Sequence, residues 1–422
     1  MRSACAGEPF YREHEGKRYC VLHCPGKEKS EDFKNALQRK LENRDFNFCG
    51  LWFPDELSFD GFAFATAANF QFVTFSAKAS FDRARFNEAA DFRDATFGGE
   101  ANFFTATFGR YTYFSRSSFK GEAVFTNAIF ASRVFFNHAT FGQRTYFTSA
   151  LFSERAYFMQ TTFCAEAHFN YTSFQSYVLF SGGHVRSVFR DETSLDFQFA
   201  RLEKPERVSF YALTLRPHWF ANLDTRKLDF INADWNWRKT SIDKEIEELK
   251  RRQIFPTHPL LAIIFGQLAV NAEDNHRYEE ASKFRYMAMD VSRRERSRGI
   301  AFWRLSWWYW LASGYGERVL QAFLVLLGIW FVAGLLYTRV GFARWEPKLA
   351  SESDVISAKR DDVGVPLKFS RALTYSAGVM TLQKPEPRPA TTAAQTVVLL
   401  ETILGPVQAA LLALAIRRKF MR

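Results

Sequence analysis

Three groups of residues have the types and spacing to do chemistry. Near the N-terminus Cys5, His14, Cys20, His23 and Cys24 fall together, and Tyr19-Cys20-Val21-Leu22-His23-Cys24-Pro25 puts two thiols and an imidazole on one short stretch. Zinc takes N or S ligands in a tetrahedron, and a C-x2-H or C-x3-C knuckle supplies two of them from a single turn. The expected chemistry is a structural zinc site held by Cys5, Cys20, His23 and either Cys24 or His14; the alternative is a set of ordinary thiols in a reducing compartment. The second group is Glu401, Gly405 and Gln408, set in a long apolar run where a charged side chain costs about 2.5 to 3.5 kcal/mol unless it faces water or a partner. Seven residues apart, Glu401 and Gln408 share a helical face, with Gly405 between them. That stripe could line a pore, or it could pair with something inside the protein. The third group, Thr381, Leu382, Gln383 and Lys384, follows a short apolar segment, where a re-entrant loop would present its backbone to an ion. The eight histidines are dispersed, and no nucleophile, base and orienting group occur together, so catalysis is not expected.

The elements that must position these groups begin with a repeat. Phenylalanines from Phe59 to Phe180 recur at steps of 5 and 6 residues without exception, giving eleven copies of an 11-residue unit, as in Phe81-Asp82-Arg83-Ala84-Arg85-Phe86-Asn87-Glu88-Ala89-Ala90-Asp91-Phe92. Two residues before each phenylalanine stands an uncharged residue, alanine at 13 of 23 places. An i, i−2 pair of this kind is the period-2 mark of a short strand with one face buried. Such strands cannot bury a face alone and must stack as a solenoid. A long helix is excluded because steps of 5 and 6 would throw successive phenylalanines onto faces about 130° apart.

On this Ala-x-Phe spacing the segment resembles the pentapeptide-repeat family, which implies a right-handed, four-sided β-helix. The extra residue at every second step is a departure; with four faces a coil takes 5+6+5+6 = 22 residues. Some members mimic DNA with an acidic surface, but Phe59 to Phe180 carries ten Lys or Arg and nine Asp or Glu, so that role is not implied here. A helix over about 31–41 is expected to cap the stack. After Phe180 the rhythm loosens through Phe189, Phe197 and Phe210 to Leu223, Leu228 and Phe230, a shorter strand-bearing stretch that closes the solenoid. Helical patterns over 259–270 and 276–296 read as one hairpin, the first too short to cross about 30 Å of hydrocarbon.

Val319 to Tyr337 is a run of nineteen uncharged residues, about 28 Å as a helix, and reads as a membrane span. Before it Trp303, Trp307, Trp308, Tyr309 and Trp310 stand beside Arg304 and Arg318, the pattern of a helix at the membrane interface. A second span reads over 393–416 and ends in Arg417-Arg418-Lys419-Phe420-Met421-Arg422, which places the C-terminus on the cytoplasmic side. Between the spans, 369–382 is apolar enough for a short re-entrant helix. Span, re-entrant helix and span, with Ser313-Gly314-Tyr315-Gly316-Glu317-Arg318 before the first and Glu401-x-x-Leu404-Gly405-Pro406 in the second, resemble the two-helix, potassium-channel-like ion-channel family. The whole chain is similar to bacterial pentapeptide-repeat proteins with a channel-like C-terminal domain.

The resemblance implies a mixed architecture: a cap with the candidate zinc knuckle over 1–58, a cytosolic β-helix over 59–237, a helical hairpin linker over 238–300 and a membrane pore domain over 301–422. It implies a multi-pass protein of the bacterial inner (plasma) membrane with both termini cytoplasmic, a homo-oligomer of four subunits, and inorganic ions and the lipid bilayer as partners. No Thr-Val-Gly-Tyr-Gly-like filter follows the re-entrant segment, and Gly314-Tyr315-Gly316 lies on the wrong side of the first span to form one. With Lys368, Arg371, Lys384 and Arg388 around the mouth against Glu386, anion or weakly selective conduction is expected. The alternative is a membrane-anchored scaffold whose solenoid recruits protein partners. Nucleic acid is not an expected partner, because the formal charge of +11 divides as 0 for 1–58, +1 for 59–180, +3 for 181–317 and +7 for 318–422.

Overall fold

An inward phenylalanine with a small residue two places before it gives every short strand a buried pair, and the computed structural model stacks these pairs into a β-solenoid. It describes residues 8–182, 195–235, 237, 241–296, 305–343 and 365–420; Cys5, Phe189, Trp303 and Arg304 of the sequence reading lie outside them. The chain divides into two compact units, 1–277 and 278–422.

In the first unit strands of mostly two residues pair in parallel with strands 22 residues on, Ala90 with Thr112 and Phe97 with Phe119. Four faces of eight, six, seven and seven strands result, a solenoid of about eight turns. The phenylalanines are buried and form columns. Phe97 stacks on Phe119 at 4.6 Å and Phe103 on Phe125 at 5.0 Å, while neighbouring columns meet edge to face, as Phe92 and Phe103 do at 5.6 Å. Both geometries suit the ring quadrupole. The alanines at i−2, such as Ala84, Ala90 and Ala101, are buried beside them. On the outside, charges pair from coil to coil, with Arg116 bidentate on Asp94 at 2.7 Å.

The corners alternate, which explains the extra residue. At a five-residue step the chain turns tightly: the Ala84 N–H donates to the Phe81 carbonyl at 3.0 Å and Arg83 adopts φ 55°. The same left-handed position recurs every 11 residues, at Asp94, Thr105, Arg116, Asn127, His138 and Ser149. A six-residue step uses its extra residue to round a wider corner, and among the described residues none there has positive φ. Backbone lies over backbone at these wide corners: a Cβ added at Gly121 would sit 2.5 Å from the Gly99 carbonyl carbon.

The solenoid starts earlier than the sequence reading expects. Phe48 and Phe53 already stack on Phe70 and Phe75, at 4.7 and 4.9 Å, so the rhythm starts before residue 59. Beyond Phe180 the columns continue through Phe210 and Phe230, although Val178 pairs with Val208, 30 residues on. The helix α1 (Ser30–Glu42) closes the first end, its Phe33 ring against Phe53 at 5.1 Å. A hairpin of β1 (Phe10–His14) and β2 (Lys17–Cys20), turned by Glu15 and Gly16 at φ 47° and 72°, precedes it. At the other end stand α2 (Ile242–Arg251) and α3 (Thr257–Asp274). The buried Glu245 of α2 meets His218 Nδ1 at 2.7 Å, and the Asn271 amide of α3 donates to the carbonyls of Thr225, Arg226 and Leu228. As expected, α3 buries an apolar face, including Leu261, Ile264 and Phe265.

The second unit holds α4 (Tyr278–Arg296), α5 (Leu305–Ser313), α6 (Val319–Tyr337), α7 (Phe369–Met380) and α8 (Thr392–Phe420). The expected helical hairpin of α3 and α4 thus straddles the division between the units. Two helices, α6 and α8, are long and apolar enough to cross a membrane.

Candidate functional site at the seam of three helices

Hydrogen bonds at both ends set α6 and α8 antiparallel. Gln408 of α8 donates to the carbonyls of Ala312 and Ala322 at 2.7 and 2.8 Å, and Arg418 donates to the Tyr315 carbonyl at 2.9 Å. At the opposite end the Ala390 and Thr391 amides reach the Gly341 carbonyl. The basic start of α6, at Arg318, therefore lies at the same end as the basic finish of α8.

Between them α7 runs back along α6. The Leu367 amide meets the Tyr337 carbonyl, Trp330 Nε1 donates to the Leu373 carbonyl at 3.0 Å, and Ser376 Oγ lies 3.0 Å from the Trp330 carbonyl oxygen. Its last residue, Met380, packs on Gly405, where an added Cβ would lie 3.3 Å from the Met380 Cα. Gly405 is the fourteenth of the 29 residues of α8, close to its midpoint. The chain then reverses. Leu382 has φ 59°, the Gln383 amide returns to the Gly378 carbonyl at 2.9 Å, and Ala343 bonds the Arg388 carbonyl at 2.9 Å beside a Phe342–Pro389 bridge. This segment thus descends from the level of Tyr337 to the middle of α8 and comes back to Phe342. At its tip Thr381, Leu382, Gln383 and Lys384 are all exposed, Leu382 by 64%.

The stripe of Glu401, Gly405 and Gln408 shares one face of α8, and that face is the packing seam of the chain itself. Glu401 is 3% exposed. Its Oε1 accepts from Ser376 of α7 and its Oε2 from Tyr337 of α6, so one carboxylate ties three helices. Around it the rings of Tyr337, Phe342 and Tyr375 meet edge to face at 4.9–5.5 Å. Sequence reasoning missed Tyr337 and Ser376. The signal was there: an acid inside an apolar span demands donors, and these are a hydroxyl closing the first span and one within the apolar segment between the spans.

Gly314-Tyr315-Gly316 forms the turn into α6, with φ of 55°, 62° and 76°. The Tyr315 carbonyl accepts from Tyr309 Oη as well as from Arg418.

At the N-terminal knuckle Cys20 Sγ lies 3.1 Å from His23 Nδ1, His23 Nε2 meets the Cys49 carbonyl at 3.0 Å, and Cys24 Sγ donates to the Pro25 carbonyl at 3.4 Å. His14 is carried on β1 with its ring near Tyr19. Among the described residues no three His, Cys, Asp or Glu side chains converge as a metal site. The turn is instead tied by Lys29, 2% exposed, whose Nζ donates to the Val21 and Leu22 carbonyls at 2.7 and 3.1 Å and lies over the Phe33 ring. Burial pushes this amine down to about 7, although Cys24 and Cys20 pull the other way.

No protein-family model, curated protein or solved structure matches the chain. The functional reading therefore stands on these contacts.

Proposed function

We propose that the second unit is the pore-forming part of an ion-channel subunit, with α6 and α8 crossing the bilayer, α7 re-entering it, and the solenoid held in the cytosol as a sensor or dock. The observation that carries this is the tip at residues 381–384. It is irregular backbone, exposed, carries Lys384, and follows directly on Met380, which packs on Gly405 halfway along a helix long enough to span. Irregular backbone at membrane depth is tolerated only where it is buried in protein or lines water. A lysine facing hydrocarbon there would cost about 2.5 to 3.5 kcal/mol. Further copies of the chain around a wet axis, four by the resemblance, satisfy both demands. Lys384 on that axis favours anions or weak selectivity. The basic ends shared by α6 and α8 support cytoplasmic termini in a plasma membrane.

The test is access of water to the tip. With the native cysteines replaced, Lys384→Cys in proteoliposomes reacts with a membrane-impermeant charged thiol reagent, whereas Leu400→Cys, on the exposed side of α8, does not. Protection of Lys384→Cys equal to that of Leu400→Cys removes the reading.

The second reading, an anchored scaffold, is favoured by an outer ladder on one solenoid face, where half-exposed Tyr113, Phe135 and Tyr157 stack at 5.1–5.2 Å. Aromatic residues are enriched in protein interfaces.

A further inference from the structure

Where α5 crosses the base of α6 and α8 the three helices do not close on one another. They leave a crevice of about 760 Å³ walled by Trp308, Leu311, Val325, Ile329, Leu404 and Leu411. Trp308 and Leu404 are about half exposed, so the crevice opens sideways. An apolar gap of this size in an otherwise packed protein forfeits dispersion contacts unless something apolar enters it. Directly beside it, sharing Ser306 and Tyr309, is a second hollow of about 310 Å³ bordered by Ser292, Arg293 and Tyr315. Arg293 is held in place there, with Nη2 on Asp290 at 2.6 Å and its guanidinium over Trp310 at 4.6 Å. Arg293 and Arg294 share the single carboxylate of Asp290, at 2.6 and 3.0 Å, which leaves this trio one positive charge in excess. An apolar slot that opens onto a basic, hydroxyl-bearing hollow among interfacial tryptophans and tyrosines matches an anionic amphiphile end to end.

We propose that this pair of hollows is a binding site for one anionic phospholipid, its acyl chain between α5 and the α6–α8 pair and its phosphate against Arg293 and Ser306. The site rests on membrane insertion of α6 and α8 and is independent of conduction.

The test uses the full chain, purified in detergent, stripped of lipid and titrated with phosphatidylglycerol or phosphatidylcholine of matched chains under native mass spectrometry. One phosphatidylglycerol per chain is expected, bound about fivefold or more tighter than phosphatidylcholine. Leu404→Trp, which fills the crevice, weakens that binding about tenfold, and Arg293→Gln removes the headgroup preference. Leu400→Trp, one helical turn away and outside the crevice, binds as the wild type does, which separates loss of the site from loss of the fold. Equal binding of the two lipids by the wild type, or binding unaffected by Leu404→Trp, overturns the proposal. Because binding is read without current, its failure is distinct from failure of the channel reading.

Discussion

Glu401 holds its carboxylate inside an apolar helix because Tyr337 and Ser376 aim hydroxyl hydrogens at its two oxygens. Replacing it by alanine strands the buried Tyr337 hydroxyl and leaves Ser376 only the Trp330 carbonyl, and at about 1 to 3 kcal/mol for a buried group left unsatisfied the second unit should melt several degrees lower in detergent. Glu401→Gln retains an acceptor oxygen and should fall between alanine and the wild type. An alanine variant as stable as the wild type would show that the carboxylate does not tie the helices. At the other end of the chain, Lys29 titrates near 7 when folded against 10.5 when free. Between those values the unfolded chain binds more protons than the folded one, so stability around the knuckle rises with pH from 7 to 10.5 and is flat below 7. Hydrogen exchange of the α1 amides, corrected for intrinsic rate, should report that slope, and Lys29→Met should abolish it. Metal content decides between the two readings of the knuckle. One zinc per chain requires Cys5 to join Cys20, His23 and either Cys24 or His14, whereas a ratio near zero leaves Lys29 as the group that ties the turn. The thiols and imidazole were legible as neighbours because they are close in sequence. Tyr337 and Ser376 were not, because they reach Glu401 across 64 and 25 residues.

The repeat elements show why a period can be read while its corners cannot. Steps of 5 and 6 predict a 22-residue coil, and the register from Ala90 to Thr112 has that length. Which step takes the left-handed residue depends on backbone stacking that no single unit reveals. Gly121 lies at a wide corner where a methyl group would strike the Gly99 backbone, so Gly121→Ala should cost about 1 to 3 kcal/mol. Thr105 holds φ 55° at a tight corner, and because a β-branched residue is strained there Thr105→Gly should stabilise by a few tenths to about 1 kcal/mol. Urea unfolding of both variants tests the assignment; the opposite pair of signs would reverse which corner is tight. Phe48 and Phe53 obey the rhythm and extend the columns, whereas the 30-residue register from Val178 to Val208 breaks the count of spacings, so the continuation through Phe210 and Phe230 was legible only as a loosened rhythm. The bounds of α6 were legible from an uncharged run. The course of α7 was not, since it depends on Trp330, Gly405 and Phe342 meeting a segment remote in sequence.

On the scale of the whole molecule, charge and burial divide the labour. The solenoid pairs its surface charges from coil to coil and is nearly neutral, while the segment 318–422 carries +7. In the second unit a basic, exposed tip sits halfway along a helix that can span a bilayer, and that arrangement is the centre of the account. Its most direct test is electrical. Full-length protein reconstituted in a planar bilayer across a potassium chloride gradient should give discrete current steps that reverse on the chloride side of zero, and Lys384→Glu should move the reversal potential toward potassium. Bilayers that contain the inserted protein and stay silent under voltage, tension and pH change would contradict the channel and leave the anchored scaffold.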